Sequence, residues 1–208
     1  MSMMYPTRID LPADVRAQII DLLNESLAYT LDLKTQVKQA HWNVKGMDFY
    51  QLHELFDELA GELEEYIDLL AERVTTLAGT AMGTARIAAE VSQLPEYPYD
   101  ITDGKDHIVA LADRYAIYAK LLRDGIEKTD DLGDADTADL YTEISRSIDM
   151  RLWFLEAHLQ TEGVVNSSNG ATKSSKSAKS SSSRTAAKTS TTKTTAKATA
   201  KKAKTKAK

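Results

Sequence analysis

From about residue 12 to residue 160, apolar side chains return every three or four positions, the period of a helix buried along one side. Val15, Ile19, Leu22, Leu23, Leu33 and Val37 form one stripe, and Ile20, Leu27 and Leu31 widen it, as a helix touching several neighbours requires. This first helix is expected over about 12–44. Pro12 is tolerated in its first turn, Asp10 can cap it, and Gly46 stops it. A second helix is expected over about 49–77. A long connection containing Gly79, Gly83, Pro95 and Pro98 follows, with room for one short helix at about 85–93. A third helix, about 105–128, carries Ile108, Leu111, Ala112, Tyr115, Ala119, Leu122 and Ile126. A fourth, about 136–160, carries Leu140, Ile144, Ile148, Leu152, Leu155 and Leu159. β-branched runs are absent, so the fold class is all-α.

Four long helices with one long central connection match a ferritin-like four-helix bundle. There the connection crosses over so that the two halves run parallel. Composition then divides the chain. Residues 163–208 hold eleven Lys and Arg184 with no Asp or Glu, whereas residues 1–162 hold 14 basic and 31 acidic residues, a net charge of −17. The overall −5 hides an acidic body joined to a basic arm. Ser, Thr and Ala fill most of the arm. Such a segment buries too little surface to offset its ordering entropy, so disorder is expected. The organisation is a short extension (1–11), a helical domain (12–162) and a Lys/Ser/Thr/Ala-rich tail (163–208). Cysteine is absent, which excludes disulfide and thiolate chemistry and permits a reducing compartment. The opening MSMMYPTRIDLPADVR turns charged at once, unlike a signal peptide, and no apolar run reaches the roughly 20 residues of a membrane span. A cytoplasmic protein is the expectation.

The chemistry is concentrated in HWNVKGMDFYQLHELFDELAGELEEYIDLLAER. His41, His53, Asp57, Asp68 and Glu72 make a mixed nitrogen and oxygen donor set of the kind that suits iron, manganese or zinc. On a helix, His53, Asp57, Asp68 and Glu72 fall at about 0°, 40°, 60° and 100°, so they share a face. Along the axis His53 and Asp68 are about 22 Å apart, while metal–ligand bonds are about 2 Å. One helix cannot bring both pairs to one ion. A second copy, antiparallel about a two-fold axis near residue 62, can. Gly61 lies beside that point and lets two helices approach closely. Two identical sites result, each with His53 and Asp57 from one chain and Asp68 and Glu72 from its mate. His41, at the end of the preceding helix, completes the first half-set. The plainer reading of each pair is a solvated helix face.

KQAHWNVKG, then FxxLHxxFD, then IDxxAERV, with YPYDI, LADRYAI and DTADLYTEISRSIDMRLWFLEAHL in order behind them, resemble the Dps family of bacterial miniferritins. The likeness covers about residues 12–160. It implies a four-helix subunit assembling into a hollow homododecamer of tetrahedral symmetry. A ferroxidase site holding two irons would be shared across the dimer two-fold, with ligands at His41, His53, Asp57, Asp68 and Glu72. It also implies that ferrous iron is oxidised, typically by hydrogen peroxide and less often by dioxygen, and that ferric mineral is stored inside the shell. Ordinary ferritins use Glu-x-x-His pairs instead, and none of the four histidines here has Glu three residues before it.

Further roles carry two readings each. Trp42 can trap radicals beside the site or simply pack in the core. Glu62, Glu64 and Glu65 can nucleate mineral or form a solvated face. Trp153 and Phe154 are expected to pack, and His107 and His158 to be structural or surface residues. The family likeness places ion-entry pores at Asp136, Asp139 and Asp149, where a carboxylate ring would focus potential for cations. The plainer reading is the Asp enrichment of a helix N-terminus.

The arm is expected to bind double-stranded DNA through phosphates, using Lys173, Lys176, Lys179, Arg184, Lys188, Lys193, Lys197, Lys201, Lys202, Lys204, Lys206 and Lys208. It has no aromatic residues, so stacking on single strands is not supported. Twelve arms per particle would act multivalently. A solubilising tail, or one folded back on the acidic body, is the alternative. The leading expectation is therefore a cytoplasmic, nucleoid-associated ferroxidase that stores iron and limits hydroxyl radical. The alternatives are a DNA-compacting structural protein with little ferroxidase activity, and a cage whose tail serves solubility alone.

Overall fold

The computed structural model describes residues 4–160. The long helices are α1 (Ala13–Asn43), α2 (Phe49–Thr76), α4 (Gly104–Asp131) and α5 (Ala135–Ala157), with the short α3 (Ala85–Val91) inside the central connection. Among the described residues there is no strand, only one isolated bridge between Lys45 and Asp103. The expected helices are all present, with ends displaced by a few residues, the usual scatter at fraying termini. One cap differs from expectation. Pro12, not Asp10, occupies the N-cap of α1, and no side chain accepts a bond there.

Each half is a helical hairpin, α1 on α2 and α4 on α5, and α1 also packs on α4 and α3. The crossover positions the halves. Lys45 N–H donates to Thr102 C=O at 2.9 Å, so the turn between α1 and α2 is tied to the residues just before α4. α2 and α4 therefore start at the same end of the bundle and run parallel. Ser92 Oγ donates to Asp32 at 2.6 Å, and Arg114 donates to the Glu96 carbonyl at 2.7 Å. These bonds hold the crossover against α1 and α4.

Two pairs of core hydroxyls meet each other. Ser26 and Tyr141 pair at 2.9 Å, and Thr30 and Tyr118 at 2.6 Å, so these two tyrosines bring apolar bulk without an unsatisfied oxygen. Gly125 has a steric reason to be glycine: a Cβ there would come 2.9 Å from the Tyr141 ring.

The inward stripe of α2 is Leu52, Phe56, Leu59, Leu63, Tyr66, Leu70 and Val74. By helical geometry this stripe is centred about 145° away from the arc holding His53, Asp57, Asp68 and Glu72. The helix gives one face to the core and leaves the other outside it.

α5 begins on a buried cap. Asp134 accepts from Thr137 N–H at 3.1 Å and receives both Nη2 contacts of Arg73 on α2, at 2.8 and 3.0 Å. One carboxylate thus caps a helix and bonds it to the other hairpin. Asp134→Ala would strip Arg73 of its buried carboxylate, leaving it the Thr137 hydroxyl at 2.8 Å and the exposed Asp136 at 4.0 Å, and is expected to lower stability by about 3 kcal/mol, as loss of one member of a buried pair does. Urea unfolding followed by circular dichroism measures this; an unchanged midpoint refutes the role given to Asp134.

Candidate metal centre

His41 closes α1 and His53 lies in the second turn of α2. Their main chains and rings lock together. His41 Nδ1 donates to the His53 carbonyl at 2.8 Å, and His53 Nδ1 donates to the His41 carbonyl at 2.9 Å. A carbonyl oxygen only accepts, so each Nδ1 carries a hydrogen, and in the neutral ring each Nε2 keeps its lone pair for a metal. The rings stack at 3.8 Å with 20° between their planes. Bonds from the distal ring nitrogen to a carbonyl are the usual way a ligand histidine is oriented.

Asp57 stands one turn along α2, 61% exposed at its side chain. His41 Nε2 lies 3.9 Å from its Oδ1. Lys38, one turn before His41, donates to the same oxygen at 2.7 Å and lies 5.8 Å from the Trp42 ring centroid. The hydrogen bond from Lys38, and then its charge, hold the Asp57 carboxyl below the ordinary carboxylate range. An ammonium therefore sits on the carboxylate that would receive a metal ion, and a metal binding there must displace it.

Asp68 and Glu72 are exposed, about three and four turns beyond Asp57 along α2, on the same outward face. Among the described residues, no three His, Cys, Asp or Glu side chains of one chain converge on a common metal position. One chain sets His41 beside His53, with Asp57 3.9 Å from His41, and leaves Asp68 and Glu72 apart. Gly61 is exposed between the two groups, with nothing within 4 Å of a Cβ built on it. A groove lined by Leu31, Lys34, Lys38, Trp42, Asp57 and Gly61 runs beside it between α1 and α2.

The other expected residues fall as follows. Trp42 is 67% exposed, so it does not pack in the core of its own chain. Trp153 is 58% exposed, against expectation, because it lies about 130° round α5 from the middle of the Leu152 and Leu155 stripe. Phe154 is half-buried beneath the Arg151 guanidinium, 5.1 Å from its ring. Glu62 is ion-paired with Arg151, and Glu64 with Lys34, while Glu65 is exposed. Asp136 and Asp139 are exposed in the first turns of α5. Asp149 lies about 15 Å beyond Asp139 along that helix, in a two-bond pair with Arg123 at 2.7 and 2.9 Å. His158 is exposed, donating to the Phe154 carbonyl at 2.8 Å, and His107 is buried. Residues 173–208, which include all twelve proposed DNA contacts, lie outside the described residues. Lys38 escaped the sequence reading, though its signal was present: a cation one turn before His41, on the same helix face.

Residues 20–163 match the family described as ferritin-like domain. A crossover bundle with this match defines a ferritin-like protein. Among relatives, the DNA protection during starvation protein of Agrobacterium fabrum is 44% identical over 156 residues, which is 75% of this chain and 96% of that one. Among solved structures, DpsC from Streptomyces coelicolor superposes with a TM-score of 0.73 at 34% identity, covering 76% of this chain and 92% of that one. A Dps protein from Vibrio cholerae O1, described as one of a broad superfamily of ferritin-like diiron-carboxylate proteins, gives 0.70 at 28% identity, covering 76% and 99%. The chain belongs to the Dps family.

Removing the ammonium tests the geometry at Asp57. In Lys38→Gln the Asp57 carboxyl is expected to rise toward its ordinary value of 3.8. Side-chain carbon chemical shifts followed against pH would show it, and an unmoved titration would show that Lys38 does not hold that carboxylate.

Proposed function

We propose that the chain is the subunit of a ferroxidase and iron store. Two copies would meet antiparallel along α2, and six such dimers would close into a hollow homododecamer. The observation that carries this reading is the outward face of α2. His53 and Asp57 stand at one end, Asp68 and Glu72 at the other, Gly61 between them, and a fixed His41 completes the first group. Each pair of chains would then build two sites, every site using His41, His53 and Asp57 of one chain and Asp68 and Glu72 of the other.

Ferrous iron is the substrate. Both imidazoles offer Nε2, and Asp57 releases Lys38 as the metal arrives. The carboxylates favour the ferric product because hard oxygen donors suit the higher charge. Two ferrous ions held together give one electron each, so hydrogen peroxide is reduced by two electrons to two hydroxides and no hydroxyl radical leaves. Dioxygen is the slower oxidant in this reading, and zinc or manganese would compete for the same donors. Ions would enter through openings lined by Asp136 and Asp139, with Asp149 at a separate level. Ferric mineral would collect inside, with Glu65 an available nucleating carboxylate.

Iron oxidation after peroxide addition, followed by ferric absorbance, is the direct test. The double variant His41→Ala/His53→Ala is expected to oxidise iron at least tenfold more slowly, roughly the lower limit for loss even of residues that merely orient ligands. Parent-like rates in that variant would remove the assignment and favour a DNA-compacting structural protein.

The tail supports the second activity. Its twelve cations against a body of −17 make non-specific binding to DNA phosphates the simplest use of residues 163–208, in a cytoplasmic, nucleoid-associated particle. Among the described residues no helix is long and apolar enough to cross a membrane. A chain ending at Gln160 is expected to lose retardation of duplex DNA in a gel, and the full chain to lose it as salt rises. Unchanged retardation by the shortened chain would leave the tail a solubilising role.

A further inference from the structure

Nε2 of His107 is the one buried side-chain nitrogen or oxygen among the described residues that lacks a hydrogen-bond partner. His107, 1% exposed, sits in the first turn of α4. Its Nδ1 is 2.7 Å from the hydroxyl of Tyr97, itself buried in the crossover. The bond has a direction. If Nδ1 carried the hydrogen, both the phenol hydrogen and Nε2 would be left unmatched; if the phenol donates, only the Nε2 N–H is. The phenol therefore donates to the imidazole.

Three neighbours define the surroundings. The Arg114 guanidinium lies 5.2 Å from the Tyr97 ring. Phe56, the residue before Asp57 on α2, meets His107 edge-on at 6.4 Å. Tyr97 also lines, with Trp42, Gln39 and Tyr99, a groove between α1 and the crossover. The pair thus touches the inner side of the helix that carries the proposed ligands, and shares a groove with the exposed tryptophan next to His41.

We propose that Tyr97 and His107 form a redox pair that takes up one-electron oxidising equivalents escaping from the iron site, the phenolic proton passing to His107 Nδ1 as the electron leaves. Burial holds the Tyr97 phenol well above its ordinary range, so the ring rests protonated and gives up an electron readily only if its proton has somewhere to go. Burial also holds His107 below its ordinary value, so the imidazole rests neutral and can receive that proton. Asp106 and Asp103, at the start of α4, favour the imidazolium once it forms, and the Arg114 charge beside the Tyr97 ring favours loss of the phenolic proton.

The sequence balances. A ferrous ion that meets hydrogen peroxide alone gives a ferric ion, hydroxide and hydroxyl radical. The radical takes one electron from Trp42 and becomes hydroxide. Tyr97 refills Trp42, loses its proton to His107 and becomes a neutral phenoxyl radical. A second ferrous ion then returns the electron and becomes ferric, and His107 returns the proton. The net change is one hydroxyl radical and one ferrous ion converted to hydroxide and a ferric ion.

This inference rests on the ferroxidase reading only for the source of the oxidant, so its test has two arms on the full-length protein. In the first, iron-free protein is oxidised by flash-generated ruthenium(III) polypyridyl and freeze-trapped for electron paramagnetic resonance. A tyrosyl radical hydrogen-bonded to a nitrogen-bound proton is expected, formed more slowly in D2O, lost in Tyr97→Phe and kept in Tyr99→Phe. Because the bonding signature is read on unaltered protein, poor folding of a variant does not rescue the idea. A radical without that signature, or one that persists in Tyr97→Phe, overturns it. In the second arm, ferrous iron and peroxide replace the flash, and the same radical is expected. Iron oxidised without that radical overturns the role of the pair in the reaction. If iron is not oxidised at all, the ferroxidase reading fails, and the flash arm alone decides the pair.

Discussion

A side chain on a helix can face only one way, and α2 is divided by that constraint. Leu52, Phe56, Leu59, Leu63, Tyr66, Leu70 and Val74 face the core. His53, Asp57, Asp68 and Glu72 lie on an arc far round from them. Rotating the helix to bring Asp68 inward would expose the stripe, at a cost of about 1.5–3 kcal/mol for each large apolar side chain. The core therefore fixes where those four side chains point. The locked histidines extend the same constraint to α1, because His41 and His53 each hold the other's ring through a backbone carbonyl. The end of α1 and the start of α2 are thereby set as one unit, and the crossover bonds tie α4 to it.

The outward face is managed by cations. Lys38 holds Asp57, Lys34 holds Glu64, and Arg151 spans Glu58 and Glu62. A helix whose exposed face carries this many carboxylates would repel itself and any copy laid against it. Basic residues from α1 and α5 relieve that repulsion. The exposed pairs contribute little stability individually. Their effect is to keep the carboxylates placed and exchangeable: a surface ammonium bound by one hydrogen bond can give way to a divalent cation, which a buried, fully bonded arginine cannot do easily.

Much of this was legible in the chain itself. Period gave the helices, since each long stripe repeats many times and each repeat is independent testimony. Axial spacing separated His53 and Asp57 from Asp68 and Glu72, because rise per residue is nearly invariant. What escaped depended on contacts distant in sequence. Asp10 looked like a cap, yet Pro12 took that position. Asp134 stands among Asp130, Asp131 and Asp136, and only Arg73 arriving from α2 selects it. Tyr97 and His107 lie ten residues apart across an irregular crossover, where no period operates. Trp153 was assigned by its bulk although its phase pointed outward.

The divided face of α2 has a genetic corollary on the shared-site reading. Each chain would give one half of its ligands to one site and the other half to a second, so a lesion in either half would spoil one site of a mixed pair and spare the other. Two defective alleles, one lacking His53 and Asp57 and the other lacking Asp68 and Glu72, would each be inert alone. Expressed together, they would restore one working site in every mixed dimer. Function would then belong to the pairing of chains rather than to any one of them, and two silent genes could complement.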